Sequence, residues 1–185
     1  MIDWKELPAI DAARVRLRSI TGDDVDSLYT IFSDAEVMRY WSSPPLASRE
    51  EAARLLDRIQ SNFRERTFFQ WGIALREDDK VIGTTTLFHL DLGNRRAEIG
   101  YALGRSHWGR GYIQEALNAL FAFAFNDLSL HRLEADVDPR NARSIRTLER
   151  LGFQKEGYMR ERWHVAGEIQ DALMYGLLKH EWKSV

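Results

Sequence analysis

Ser106-His107-Trp108-Gly109-Arg110-Gly111-Tyr112-Ile113-Gln114-Glu115-Ala116-Leu117-Asn118-Ala119-Leu120-Phe121-Ala122-Phe123-Ala124-Phe125 is the stretch on which the fold turns. Two glycines one residue apart lead into a run of strong helix formers. Apolar residues recur at Ile113, Ala116, Leu117, Leu120, Phe121, Ala124 and Phe125, the spacing of a helix packed along one face. Residues 97–103 before it read as a strand, with Gly104 and Arg105 opening the turn. A strand, a glycine-bearing turn and a helix in that order can cradle phosphate. Glycine lets the backbone approach an anion closely, and the helix start offers unpaired N–H groups and the positive end of its dipole. The turn is not a Walker loop, since no Gly-Lys-Ser/Thr follows, and it lacks the third glycine of the dinucleotide fingerprint. Two glycines before a helix also make an ordinary tight turn, so the neighbouring residues have to decide.

Outward from that turn, both periods are present. Residues 14–20 alternate as a half-exposed strand, and Thr21 or Asp23 can cap a helix whose apolar face is Val25, Leu28, Tyr29, Ile31 and Phe32. Ser42-Ser43-Pro44-Pro45 is a loop by composition. Ser48-Arg49-Glu50-Glu51 has capping-box spacing and opens a second helix to about Arg66, with Ala52, Leu55, Leu56, Ile59 and Phe63 inward. Residues 68–75 and 81–90 form a hairpin about a polar turn, and Gly93-Asn94 leads into the strand that holds Glu98. After the glycine turn and its helix come a strand at 132–137, a helix capped by Asn141 and stopped by Gly152, and closing strands at 153–165 and 169–178. The order β-α-α-β-β-β-α-β-α-β-β predicts an α+β fold: a mixed, mostly antiparallel twisted sheet flanked by helices.

The chain has 185 residues, which predicts one domain over 1–185 with its core at about 14–182. A net charge of -2 argues against nucleic acid as the main partner. Cysteine is absent, which excludes a disulfide framework, a thiolate metal site and a cysteine nucleophile. No histidine pair stands at ligand spacing, so no metal is expected. The opening Met1-Ile2-Asp3-Trp4-Lys5-Glu6 lacks the basic and apolar regions of a signal peptide. The longest apolar run, 119–125, is far short of the roughly 20 residues that span a bilayer. A cytoplasmic protein without membrane contact is the expectation.

Four motifs occur in register. Ala97-Glu98-Ile99-Gly100-Tyr101, Trp108-Gly109-Arg110-Gly111-Tyr112, Asn141-Ala142-Arg143-Ser144 and Leu151-Gly152-Phe153 stand in the order typical of GNAT N-acetyltransferases, which this chain resembles from about Arg14 to Trp182. The form is similar to the Rim-type (RimJ/RimL-like) branch, whose members acetylate ribosomal-protein N-termini and a range of other amines. One departure stands out. The superfamily's pyrophosphate loop usually opens with Gln or Arg three positions before its first glycine, and here that residue is Ser106. The backbone has to supply the contact that such a side chain would make.

The resemblance implies acetyl-CoA as donor, no metal, and a monomer or homodimer acting on an amine acceptor, either a protein N-terminus or a small amine. It implies a pyrophosphate on the N–H groups of Trp108, Gly109, Arg110, Gly111, Tyr112 and Ile113, and a pantetheine arm along Tyr101, Ala102 and Leu103. Asn141 and Ser144 match the family's Asn-x-x-Ser near the thioester. Attack on a thioester requires a neutral amine, hence a base, and the departing thiolate benefits from a donor. Without cysteine, direct transfer in a ternary complex is the simplest course.

Glu98, on the strand feeding the turn, is the leading base; alternatively it pairs with Arg95, Arg96 or Arg132 on an exposed face. Ser144 is the first candidate donor to the sulfur, and Tyr158 the second. Asn141 and Ser144 can equally serve as helix cap and N3 residue. Arg140, Arg143, Arg146 and Arg150, with Arg110, can either attract the 3′-phosphate of CoA or form a solvated face. Tyr40, Trp41, Trp71, Phe88 and Trp163 are the aromatics available to wall an acceptor pocket, with Glu161, His164 or Asp171 at its mouth. Of these Trp41 is favoured, because a loop has no structural need of so large a side chain.

Overall fold

The computed structural model describes residues 4–183, so the first three residues of the opening segment, and the last two of the chain, lie outside the described residues. Eight strands make one sheet: β1 (Ile10–Asp11), β2 (Val15–Arg18), β3 (Phe68–Leu75), β4 (Val81–Asp91), β5 (Arg96–Leu103), β6 (Arg132–Val137), β7 (Gln154–Val165) and β8 (Glu168–Leu178). Their spatial order is β1-β2-β3-β4-β5-β6-β8-β7. Every pairing is antiparallel except β5 with β6. The α+β expectation holds, with one addition at the edge: the two-residue β1 is too short to leave a periodic signal.

The helices are α1 (Val25–Phe32), α2 (Ala35–Met38), α3 (Arg49–Arg64), α4 (Tyr112–Ala122) and α5 (Ala142–Arg150). The single turn α2 adds to the expected order; Asp34 caps it by accepting from the Glu36 N–H at 2.9 Å. Ser48 caps α3, and Asn141 caps α5 by accepting from the Ser144 N–H at 3.1 Å. Gly152 ends α5 with φ at +92°, the left-handed conformation glycine adopts without strain.

Parallel neighbours need a crossover, and α4 provides it between β5 and β6. Its Ala116, Leu117, Leu120 and Phe121 are fully buried, each larger side chain contributing about 1.5–3 kcal/mol by leaving water. Together with Phe69, Trp71, Ile99 and Leu133 they form one core. A second core on the opposite face gathers Leu28, Ile31, Phe32, Ala52, Leu56 and Ile59 from α1 and α3 over Ala74, Val81 and Ala102. Side chains alternate along a strand, so Glu98 shares a face with Ala102. The parallel register sets Glu98 opposite Glu134. Beyond the cover of α1 and α3, that face carries the charged Glu98 and Glu134 beside the stacked pair Phe68 and Phe88.

Candidate active site

β5 and β6 pair only at Arg96↔Arg132, Ala97↔Leu133 and Glu98↔Glu134, after which the strands part. A cavity of about 630 Å³ runs beside the separated part of β5. Tyr101 and Leu103 line it from β5; Trp108, Gly109 and Ile113 from the turn and α4; Asn141, Arg143, Arg146 and Arg150 from α5 and its cap; Tyr40 and Trp41 from the segment after α2. Ala102 points to the other face, buried in the second core, so only its main chain is available to a ligand.

The glycine turn has the form expected of a phosphate cradle. Gly109 has φ at +75° and Gly111 at +80°. A Cβ at Gly109 would meet no atom within 4 Å, so its approach is open. No side chain caps α4 at Gly111. Among the described residues, no acceptor is found for the N–H groups of residues 109–114. Arg14 clamps the turn from behind. Its Nε donates to Glu115 Oε2 at 2.8 Å, its Nη1 donates to the Arg110 carbonyl at 3.0 Å, and its guanidinium lies 4.7 Å from the Tyr112 ring centre. Arg110, Gly111 and Tyr112 therefore shape the back of the turn and do not line the cavity.

The arginines of α5 divide. Arg140 is held by Asp138 and Glu168. Arg143 stacks 4.4 Å over Trp108. Arg146 and Arg150 line the cavity without an ion pair among the described residues. This donor set, with free N–H groups at one turn and cations nearby, fits the phosphates of a coenzyme A nucleotide.

On the polar face, Glu98 does not pair with Arg95, Arg96 or Arg132. Its partner is His89, whose Nδ1 lies 3.0 Å from Glu98 Oε2. Arg96 turns instead to Glu134 at 2.9 Å, and Arg132 to Glu134 and Glu156. Burial pushes the Glu98 carboxyl above the usual glutamate range; the His89 contact opposes this, while Asp136 and Glu134 add to it. Asp136 is also raised, chiefly by burial, and accepts from Trp163 Nε1 at 3.1 Å. Phe88 stands opposite Glu98 in the β4–β5 register.

Of the other expected site residues, Ser144, Phe88 and Trp163 do not line the cavity, and Trp71 and Tyr158 are committed elsewhere. Trp71 is fully buried and its Nε1 donates to the Pro8 carbonyl at 2.8 Å, so it is core and walls no acceptor pocket. The error arises because aromatic strand residues look alike whichever way they face. Tyr158 does not line the cavity; its hydroxyl donates to Asp171, which also accepts from the Glu161 N–H. Trp41 does line the cavity and packs edge-on against Phe32. His89 escaped notice in the sequence because nothing in the spacing announces the bulge that aims it.

The sheet thus splits beside a glycine turn, with a carboxylate at the point of parting. Residues 14–154 match the model described as acetyltransferase (GNAT) domain, and the chain belongs to that family. It is 39% identical over 169 residues to the uncharacterized N-acetyltransferase p20 of Bacillus licheniformis, spanning 91% of this chain and 95% of that one. It is 26% identical over 171 residues to the spermidine N(1)-acetyltransferase of Escherichia coli (strain K12), 92% of this chain and 89% of that one. The fold superposes on Mycobacterium smegmatis RimJ in complex with CoA-disulfide with a TM-score of 0.83 at 23% identity, covering 94% and 88% of the two chains. The protein is an N-acetyltransferase and its donor is acetyl-CoA. No helix among the described residues is long and apolar enough to cross a membrane.

Proposed function

We propose that the enzyme transfers acetyl directly to the α-amine of a protein N-terminus, in the cytoplasm, with Glu98 as base. The observation that carries this reading is the half-buried Glu98, held by His89 at the last register pair before β5 and β6 separate. An acceptor on the polar face reaches that carboxylate, while the N–H groups of the turn and the cations of α5 hold the donor's phosphates. When bound, acetyl-CoA supplies the activated acyl group. Glu98, directly or through one water, takes the ammonium proton and frees the nitrogen lone pair. Burial makes the carboxylate a better base than one in water. Ser144 at the start of α5 donates a hydrogen bond to the sulfur as it leaves. An α-amine, with a pKa of about 7.7–8.0, is far easier to neutralise than a side-chain amine near roughly 10.4. Phe88, Trp41 and Trp163 flank the acceptor, and the Rim-type motifs agree with a peptide substrate.

A polyamine acceptor is the second reading. Glu98, Glu134 and Asp136 put three carboxylates on one face, and a polycation there would compete with Arg96 and Arg132 for Glu134 and with Arg162 for Asp136. Thiol release over ribosomal-protein N-terminal peptides, spermidine, amino acids and an aminoglycoside separates the two. The first reading expects the highest kcat/KM on a peptide, and a spermidine preference replaces it by the second. Acetyl-CoA binding without thiol release on any amine contradicts both.

A further inference from the structure

The hydroxyl of Tyr101 on β5, a residue that lines the cavity, lies 2.7 Å from the hydroxyl of Ser144 on α5, which does not line it. The Ser144 carbonyl is a second, longer acceptor for the same phenol at 3.3 Å. A phenol is a stronger acid than an alcohol, and the hydroxyl oxygen is the nearer acceptor. The phenol therefore donates to Ser144 Oγ, and the serine hydrogen is left for a third group. Burial pushes the Tyr101 pKa up to about 12, so this donor stays protonated through any ordinary assay. For packing alone, phenylalanine would fill the same volume; the hydroxyl is buried here only because it has a partner.

We propose that Tyr101 is a positioning residue for the leaving thiol, fixing the Ser144 hydroxyl and polarising it toward the sulfur of the donor. The proposal rests on the acetyl-transfer reading above. Glu98 passes the ammonium proton on to solvent before attack; as the C–N bond then forms and the C–S bond breaks, the C–S electron pair stays on sulfur and the nitrogen's second proton passes to Glu98. Ser144 O–H donates to the thiolate, and its own oxygen accepts from Tyr101, so the second bond strengthens the first. No proton leaves either hydroxyl.

The binary complex with CoA tests this without an acceptor. The bound thiol is titrated through its thiolate absorbance in wild type, Tyr101→Phe, Ser144→Ala and the double variant. The expected result is a thiol pKa raised by about half a unit or more in Tyr101→Phe, and raised at least as far in Ser144→Ala, in keeping with hydrogen bonds to a charged group. In the Ser144→Ala background, Tyr101→Phe adds nothing. In turnover, Tyr101→Phe lowers kcat roughly tenfold and leaves the acetyl-CoA KM within about twofold. An unchanged thiol pKa in Tyr101→Phe, or equal increments in both Ser144 backgrounds, overturns the proposal and leaves Tyr101 a packing residue. Should Tyr101→Phe fail to fold, an unchanged thiol pKa in Ser144→Ala overturns it alone, and a raised one supports it. A wild-type enzyme that transfers to no amine sinks the functional reading while the thiol titration still stands or falls by itself.

Discussion

His89 Nδ1 lies 3.0 Å from Glu98 Oε2, and it reaches that carboxylate from an irregular stretch of β4 where its own φ is 48°. A non-glycine residue in the left-handed region costs about 1–3 kcal/mol and is retained where the surrounding structure over-determines it. The bulge turns the imidazole back along the sheet face to Oε2 of the acid, and no hydrogen-bond partner of Oε1 is found among the described residues.

The first prediction follows from that pair. Because burial raises the Glu98 carboxyl, the active carboxylate is lost as pH falls through a value above the ordinary figure of about 4.3 for glutamate. The acid limb of kcat/KM lies correspondingly high. Glu98→Gln removes this limb and lowers kcat by roughly 10²–10⁴-fold, with acetyl-CoA affinity unchanged. Steady-state rates across pH, paired with calorimetric titration, check both parts; near-wild-type turnover would remove Glu98 from the chemistry.

A second prediction concerns Arg18 and Asp24, which fasten the start of α1 to β2. Asp24 is 5% exposed and accepts from Arg18 at 2.8 and 2.9 Å and from the Thr21 N–H at 2.9 Å. Burial alone would raise its carboxyl; the Arg18 and Thr21 hydrogen bonds together outweigh burial and hold it below the usual range. A depressed folded value means the stabilisation is present above the unfolded pKa of about 3.9 and is lost as pH falls through the folded one. Asp24→Asn should cost about 2 kcal/mol at pH 7, with Asp79 retaining part of the guanidinium's pairing. Urea denaturation at neutral and at acid pH checks it, the gap between variants narrowing in acid.

Trp71 supplies a third. Trp71→Ala should destabilise by about 3–5 kcal/mol, since it empties a fully buried site. Trp71→Phe loses the bond to Pro8 and part of the volume, about 1–2 kcal/mol, yet leaves the acceptor KM within twofold of wild type. Thermal melts beside Michaelis–Menten kinetics separate the two effects. A large rise in acceptor KM at unchanged stability would return Trp71 to the substrate pocket.

How much of this was legible in the residues depends on how local the cause is. β3 and β6 appear at the bounds read from sequence, 68–75 and 132–137, because each is a run of strand formers between turn residues. The cap at Asn141 and the stop at Gly152 are equally local, and so is the glycine turn. The partner of Glu98 was not legible. Three arginines stand near it in sequence or on the same face, yet Arg96 and Arg132 pair with other carboxylates and Arg95 donates to the Ser129 carbonyl, and the bulge at His89 decides the pairing. Trp71 failed for a similar reason: alternation tells that a side chain leaves the sheet, and only the packing of the helices tells whether it enters a core or a pocket. The α5 arginines, which charge spacing left between a solvated face and a phosphate site, border the cavity because the sheet parts beside them.

The most direct test is acetyl-CoA affinity in Gly109→Ala. The position has φ at +75° and open space where a Cβ would stand, so alanine brings about 1–2 kcal/mol of backbone strain and a methyl group into the cradle. Calorimetry should show at least a roughly tenfold weaker Kd for acetyl-CoA, while Gly22→Ala, away from the cavity and likewise in open space, binds as wild type. Equal affinity in a folded Gly109→Ala protein would contradict the claim that this turn holds the donor's diphosphate.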